Sequence, residues 1–215
     1  SGRVALLMGA NRSDWFGDSP GVLRQFARLG LRMITLSQGM RDLGYDAYNE
    51  TRSGGRLTEL GVRMIREMNA CGILIDIAHT NDVCARDIIE QSAMPVVSTH
   101  SIPRALGDGL RGMPDDVMRA LAARGGVLGV FPQVPRPPGE VPYASVPREH
   151  METAITHIRH AIDVMGIGHV GIGTHFNTAL MPWLIDALLD ARFSEAEVAA
   201  IAGGNALRVL RTVLG

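Results

Sequence analysis

The sequence contains no lysine: all 21 of its basic residues are arginine. This absence excludes a Schiff-base mechanism and a metal centre bridged by a carbamylated lysine. An arginine-only basic set also indicates a bacterial gene of high GC content. Acidic residues number 22, so the net charge is -1. That balance favours neither nucleic acid nor an anionic membrane surface as a partner.

Cysteine is scarce, and long apolar runs are missing. The two cysteines, Cys71 and Cys84, fit no zinc or redox spacing, so we expect both to be packing residues in a reducing compartment. No apolar run approaches the roughly 18 residues of a membrane span, and no signal peptide is visible. We therefore expect a cytoplasmic bacterial protein without a membrane span.

The chain alternates between short β-branched runs and longer helical patterns. With 215 residues, 46% of them hydrophobic, it can bury a sizeable core as one domain, residues 1–215. Several of the short runs are apolar almost throughout, which is typical of parallel strands buried on both faces. The predicted strands are residues 4–9, 33–37, 73–78, 96–99, 126–131 and 169–174.

Several predicted helices have readable ends. Thr58 caps a helix with one apolar stripe, Pro114 opens another, and Ser194 with Glu197 forms a capping box for a helix that reaches Gly203. The stretch 132–147 is long for a connection in a compact domain, so it is either a lid over a site or a mobile segment.

Strands and helices alternating in one direction predict a parallel sheet with helices outside it. A doubly wound sheet usually has a glycine-rich first turn, and the sequence has no G-x-G-x-x-G. We therefore predict an α/β fold of the (β/α)8 TIM-barrel type with about six of its eight strands present. Open sheet edges are poorly tolerated, so we also expect a homo-oligomer or a complementing chain to cover them.

Histidines end three of the predicted strands: His79, His100 and His175. The carboxyl ends of parallel strands gather at one face of such a barrel, where its active site lies. Three neutral imidazoles at that face suit one zinc ion. The remaining histidines are predicted to lie at the surface or at the remote end of a strand; these are His150, His157, His160 and His169.

Arg111 lies in a glycine-rich loop, residues 107–112, shortly after the His100 strand. A guanidinium there can hold a substrate carboxylate through two parallel hydrogen bonds. Composition alone leaves a second interpretation open, that Arg111 is a solvated loop residue.

These residues fall within a longer set of motifs, in order along the chain. They are LTELG at 57–61, REMN at 66–69, GILIDIAH at 72–79, STHS at 98–101, RAL at 104–106, PDD at 114–116, GGV at 125–127, HVGIG at 169–173 and GGN at 203–205. Over nearly the whole chain the sequence resembles the membrane (renal) dipeptidase family of the amidohydrolase superfamily, zinc enzymes that hydrolyse dipeptides.

The resemblance implies roles for retained and for altered positions. His79 and His100 match the histidines that hold one zinc of the family's two-zinc centre, and Arg111 matches the arginine that binds the dipeptide carboxylate. Asn11 stands where the family has a bridging glutamate. Gln38 replaces a substrate-contacting histidine. The family's first strand, with its His-x-Asp pair, precedes the residues of this chain.

His175 stands where the family has an acidic proton-transfer residue. Here it is expected to be a third metal ligand or a general base, since its ordinary pKa is about 6.5. The first interpretation is a zinc-dependent dipeptidase-like hydrolase with at most one ion. The second is a degenerate homologue that binds a small ligand or serves as a subunit of a complex.

Overall fold

The protein is described from a computed structural model, which covers residues 6–50, 52, 54–107, 109, 111–131, 149–175 and 178–215. Two compact units make up the chain. The first comprises residues 1–97 with 210–215, and the second comprises residues 98–209. The predicted loop 132–147 lies outside the described residues.

The first unit is built from parallel strands joined by helices. Its elements are β1 (Met8–Asn11), α1 (Pro20–Arg28), β2 (Leu31–Thr35), α2 (Glu59–Ala70), β3 (Leu74–Asp76) and α3 (Asp82–Gln91). One row of the sheet runs from Asn11 through Thr35 to Asp76 and on to Val97. This register brings the carboxyl ends of β1, β2 and β3 to one edge.

Local sequence explains why α2 forms where it does. The Thr58 hydroxyl accepts a hydrogen bond from Gly61 N (3.1 Å), as expected of an N-cap. The apolar side chains of Met64, Ile65 and Met68 recur at helical spacing, and all three are buried. The predicted helix is therefore confirmed, with the cap at the predicted residue.

The second unit continues the same alternation. Its elements are β4 (Val97–Ser101, whose first residue belongs to the first unit), α4 (Asp115–Ala123), β5 (Val127–Val130), α5 (Glu149–Met165), β6 (Val170–Ile172), α6 (Met181–Asp190), α7 (Glu195–Ala199) and α8 (Asn205–Leu214, whose residues from 210 onwards belong to the first unit). Strands β5 and β6 are parallel, with Gly129 opposite Gly171. Phe131 N donates to Ser101 O (2.8 Å), which joins the ends of β5 and β4.

Two glycines allow the backbone to close around Thr99 in β4. A Cβ at Gly129 or at Gly173 would lie 2.2 Å from the Thr99 carbonyl oxygen. No side chain fits in either place without moving backbone. Glycine at these positions therefore sets how closely the chain passes the residue before His100.

The α/β class, with six parallel strands in succession as in part of a TIM barrel, is confirmed. The first strand was predicted at 4–9. Residues 4 and 5 lie outside the described residues, and β1 begins at Met8, where pairing with Leu31 begins. The Leu6 side chain is 94% exposed, so apolar character alone did not mark a buried strand there.

The ends of two later helices also bear on the predictions. Ser194 and Glu197 form the predicted capping box. The helix that follows does not run evenly to Gly203, because a wide π-type turn at Ala200–Gly204 separates α7 from α8. Of the helices in the described part of the chain, none combines the length and apolar character that a membrane crossing requires.

Candidate functional site

Three of the predicted site residues lie at the carboxyl ends of the strands of the first unit. Asn11 is the last residue of β1, and Gln38 and His79 each lie three residues beyond the shared row of β2 and β3. Asn11 and Gln38 are exposed, whereas His79 is half-buried. His79 follows β3, as the sequence predicted; Asn11 and Gln38 were singled out by the family resemblance alone.

The turn that carries His79 is held by a buried carboxylate. Asp76 is fully buried; its Oδ1 accepts from Ala78 N (2.9 Å) and its Oδ2 from the Thr35 hydroxyl (2.7 Å). His79 itself has φ of 69°, a left-handed backbone that non-glycine residues rarely adopt. Such a conformation at a strand end is typical of functional positions.

The loop after β2 contacts this turn from its other side. Tyr48 N donates to the His79 carbonyl (2.9 Å), and the two rings lie 5.7 Å apart between centroids. Ala47 forms a bridge with Thr80, and Asn81 N donates to Asp46 O (3.1 Å). These contacts hold the backbone from the His79 carbonyl to Asn81.

In the second unit the structure brings His100 and His175 together. Their ring centroids lie 4.6 Å apart, and one ring nitrogen of each lies within 4.8 Å of one in the other. The Thr99 hydroxyl lies 2.8 Å from His100 Nδ1 and so orients that ring. Like His79, His175 has a left-handed backbone, with φ of 56°.

Arg111 completes this cluster. Its Nη2 lies 3.4 Å from His175 Nε2, and its backbone is tied to the end of β4 because Ser101 Oγ donates to Arg111 O (3.0 Å). The next peptide is held by the Arg104 guanidinium, whose Nε donates to Gly112 O (2.9 Å). Arg111 is half-buried, and its carbonyl is held at the end of β4.

The electrostatics of this cluster keep both imidazoles neutral. Burial, with the neighbouring His175 and Arg111, lowers the pKa of His100 to about 4. Burial, followed by the Arg111 charge, lowers the pKa of His175 from its ordinary value. A neutral imidazole is the form that ligates a metal ion or accepts a proton, so both side chains are in that form near neutral pH.

Nitrogen donors of this kind fit a zinc ion, because neutral imidazole is a common zinc ligand. His100 and His175 supply two donors within one unit, and Arg111 supplies a permanent positive charge beside them. The set contains no carboxylate, so it does not match a site bridged by an acidic residue.

The prediction that His157 lies at the surface is wrong. Its side chain is 3% exposed, and its Nδ1 has no hydrogen-bond partner among the described residues. Because α5 buries Ala154, Ile158 and Ala161 at helical spacing, residue 157 falls on the same face. His160 is half-buried, with Nε2 2.9 Å from Asp115 Oδ1.

One residue of the cluster was missed from the sequence. Phe131, directly after β5, places its ring 5.4 Å from the His175 ring and 5.7 Å from the Arg111 guanidinium carbon. Its position at a strand end, shared with the three histidines, was the available signal. Phe131 was not predicted because it has no polar atom that would mark it as a site residue.

Comparisons with known proteins agree over nearly the whole chain. The model of the membrane dipeptidases, peptidase family M19, matches residues 1–214. The chain is 32% identical over 226 aligned positions to dipeptidase verJ of Clonostachys rogersoniana, covering 99% of this chain and 56% of that protein. It is 29% identical over 232 aligned positions to human dipeptidase 3, covering 99% of this chain and 46% of that protein. The chain spans about half the length of these curated relatives.

Solved structures show the same fold. The probable dipeptidase PvdM from Pseudomonas aeruginosa gives a TM-score of 0.84 at 23% identity, covering 99% of this chain and 70% of that one. A second structure is a metallo peptidase from Rhodobacter sphaeroides, liganded with a phosphinate mimic of the dipeptide L-Ala-D-Ala. It gives a TM-score of 0.80 at 23% identity, covering 96% of this chain and 63% of that one. With the family model matched over almost every residue, the chain belongs to the membrane dipeptidase family, peptidase family M19.

Proposed function

We propose that this chain carries the metal-binding and carboxylate-binding part of a metal-dependent hydrolase that acts on a dipeptide or a related small amide. The observation that carries the proposal is the placement of two neutral imidazoles, His100 and His175, beside the Arg111 guanidinium. Membership of a dipeptidase family supports the same reaction class.

In this proposal His79, His100 and His175 hold one zinc ion, and His175 alternatively serves as the general base. When bound, zinc polarises a substrate carbonyl and lowers the pKa of a bound water. His100 stays neutral down to acidic pH, so its ring nitrogen is not lost to protonation in the physiological range. The buried Asp76 fixes the strand end that presents His79.

Arg111 holds the substrate carboxylate in this proposal. Its carbonyl accepts from Ser101 and that of the following residue from Arg104, so the backbone that carries the guanidinium is held at the end of β4. A planar guanidinium offers two parallel N–H donors to a carboxylate, which a lysine ammonium cannot do. The exposed amides of Asn11 and Gln38 are assigned to the uncharged part of the substrate.

A single ion is proposed because the site contains too little negative charge for two. Two dications a few ångströms apart repel, and a bridging carboxylate offsets that repulsion. Asn11 and His175, both neutral, stand at two positions where the resemblance places acidic residues. A three-histidine zinc site, by contrast, needs no carboxylate and leaves a fourth position for water.

A second candidate function is a degenerate homologue that binds a small carboxylate ligand without hydrolysing it. The same neutral substitutions at Asn11, Gln38 and His175 favour it. It keeps Arg111 as the principal ligand contact. The two functions differ in metal content and in turnover, so one set of measurements separates them.

The test is metal analysis of the purified chain together with turnover of alanyl-alanine. We expect one zinc ion per chain and slow hydrolysis, well below the roughly 10 per second of a typical enzyme. Absence of any metal would overturn the hydrolase in favour of the ligand-binding homologue. Two zinc ions per chain would contradict the mononuclear centre.

The role of His175 is resolved by the variant His175→Gln. If His175 is a third ligand, the variant loses metal affinity; if it is the general base, the variant keeps the metal and loses turnover. Arg111→Lys is expected to raise KM while metal content stays unchanged, because it removes the paired donors but keeps the charge. Arg159→Lys, in the same unit, is the matched control.

A further inference from the structure

Phe131 lies where Arg111 and His175 meet. The Arg111 guanidinium carbon is 5.7 Å from the centre of the Phe131 ring, within the range of a cation–π contact. The His175 ring meets the same phenyl ring in a T-shaped arrangement, at 5.4 Å and 66°. One aromatic side chain thus contacts two of the three polar members of the cluster.

We propose that Phe131 is a positioning residue: it sets the Arg111 guanidinium relative to His175 and so determines how strongly the site prefers a ligand with a free carboxylate. The inference rests on the proposed function, since it concerns the carboxylate that Arg111 binds. Phe131 itself has no polar atom with which to take part in the reaction.

The backbone around Phe131 fixes where its ring lies. Phe131 N donates to Ser101 O (2.8 Å), and Ser101 Oγ donates to Arg111 O (3.0 Å). The residue before Phe131 is held as well, because Gly173 N donates to Val130 O (3.0 Å). Ser101 therefore ties the Phe131 and Arg111 peptides to the same strand end, directly after His100.

A phenyl ring can orient a guanidinium group, which an aliphatic side chain cannot do. The negative face of the ring attracts the cation and restricts the tilt of its plane. A guanidinium plane that is set before the ligand arrives loses less conformational freedom when it forms two parallel hydrogen bonds to a carboxylate. An aliphatic residue of similar size would fill the space but leave the plane free to turn.

The experiment compares Phe131→Leu with Phe131→Tyr, which keeps the ring, and with Phe193→Leu as a matched control. Phe193 lies in the same unit and forms a similar contact with Arg159, at 5.1 Å, and it is likewise half-buried. Binding of alanyl-alanine and of its C-terminal amide is measured by calorimetry on each protein. The ratio of the two affinities reports carboxylate preference, which a general loss of stability would not change.

We expect Phe131→Leu to reduce this ratio about threefold to tenfold, the loss of one cation–π contact. Phe131→Tyr and Phe193→Leu should keep the ratio of the unaltered protein. An unchanged ratio in Phe131→Leu would overturn the positioning role. If the unaltered protein shows no carboxylate preference, the proposed function fails, and the inference with it.

A second measurement is independent of ligand and of hydrolysis. The Nε–H proton resonance of Arg111, identified by its loss in Arg111→Lys, should carry an upfield ring-current shift that disappears in Phe131→Leu and persists in Phe193→Leu. A resonance that does not move in Phe131→Leu would show that the ring does not hold the guanidinium. This outcome would overturn the inference and leave the proposed function standing.

Discussion

His175 accepts a hydrogen bond at Nε2 from Nη2 of Arg111, at 3.4 Å. A guanidinium carries donors only, so in this contact the ring nitrogen is the acceptor. A metal ion or a proton bound at Nε2 would take the place of the Arg111 donor. The contact links the residue assigned to the substrate carboxylate with the residue assigned to the metal or the proton. Replacing either side chain should therefore alter the position of the other.

Replacing His100 by alanine should abolish metal binding. The ring is oriented by Thr99 and lies against His175, so no other described side chain of the second unit takes its place. Metal content after dialysis against zinc should fall from one ion per chain to none. His169→Ala is the control, since its imidazole contacts the Gly126 carbonyl at the other end of a strand. Retained zinc in His100→Ala would contradict the assignment.

Gly173→Ala should destabilise the protein by about 3 kcal/mol, the upper end of overpacking effects. The added methyl would lie 2.2 Å from the Thr99 carbonyl oxygen and 3.0 Å from His100 Cα, both of them backbone atoms. Denaturant unfolding measures the change. Gly168→Ala, whose Cβ would meet nothing within 4 Å, should change stability by less than about 0.5 kcal/mol. Equal effects of the two substitutions would refute the packing argument.

His157 should make folding stability fall in mild acid. Burial, and then the nearby His160, lowers the pKa of His157 below its ordinary value near 6.5. Below about pH 6.5 the unfolded chain therefore binds a proton that the folded chain refuses, and the free energy of unfolding decreases as pH falls towards the lowered pKa. In His157→Gln this decrease should be shallower. Identical pH profiles for the two proteins would disprove the prediction.

The exposed apolar residues at the start of the first unit should take part in self-association. Within the described residues of that unit β1 pairs only with β2, and the Leu6 and Met8 side chains are 94% and 57% exposed. We expect a homo-oligomer, detected by light scattering, that weakens in Leu6→Arg. A monomer at all concentrations would contradict the homo-oligomer and favour a complementing chain, which co-purification would detect.

The sequence predicted the positions of the polar residues better than their mutual contacts. His100, His175 and Arg111 come together because each follows or ends a parallel strand, a relation that strand order alone determines. The Phe131 contact depends on how far β5 and its neighbour extend, which apolar periodicity does not specify. The burial of His157 was missed because helical spacing was judged from the histidines alone, without Ala154 and Ala161.

The left-handed backbone conformations of His79 and His175 could not be predicted from the sequence either. Histidine adopts such conformations more often than most non-glycine residues, but still too rarely for a sequence pattern to predict them. Tertiary contacts impose them here, among them the hydrogen bond from Tyr48 N to the His79 carbonyl.

The Thr99 carbonyl, enclosed by Gly129 and Gly173, also bears on how this site can change over evolutionary time. A side chain at either glycine would lower the stability of the fold, so selection for a stable fold alone favours both. The surroundings of His100 would then persist in descendants that no longer turn over any substrate. If the proposed hydrolysis were lost, it could return by substitutions at exposed positions such as Asn11 and Gln38, with the scaffold of the site intact throughout.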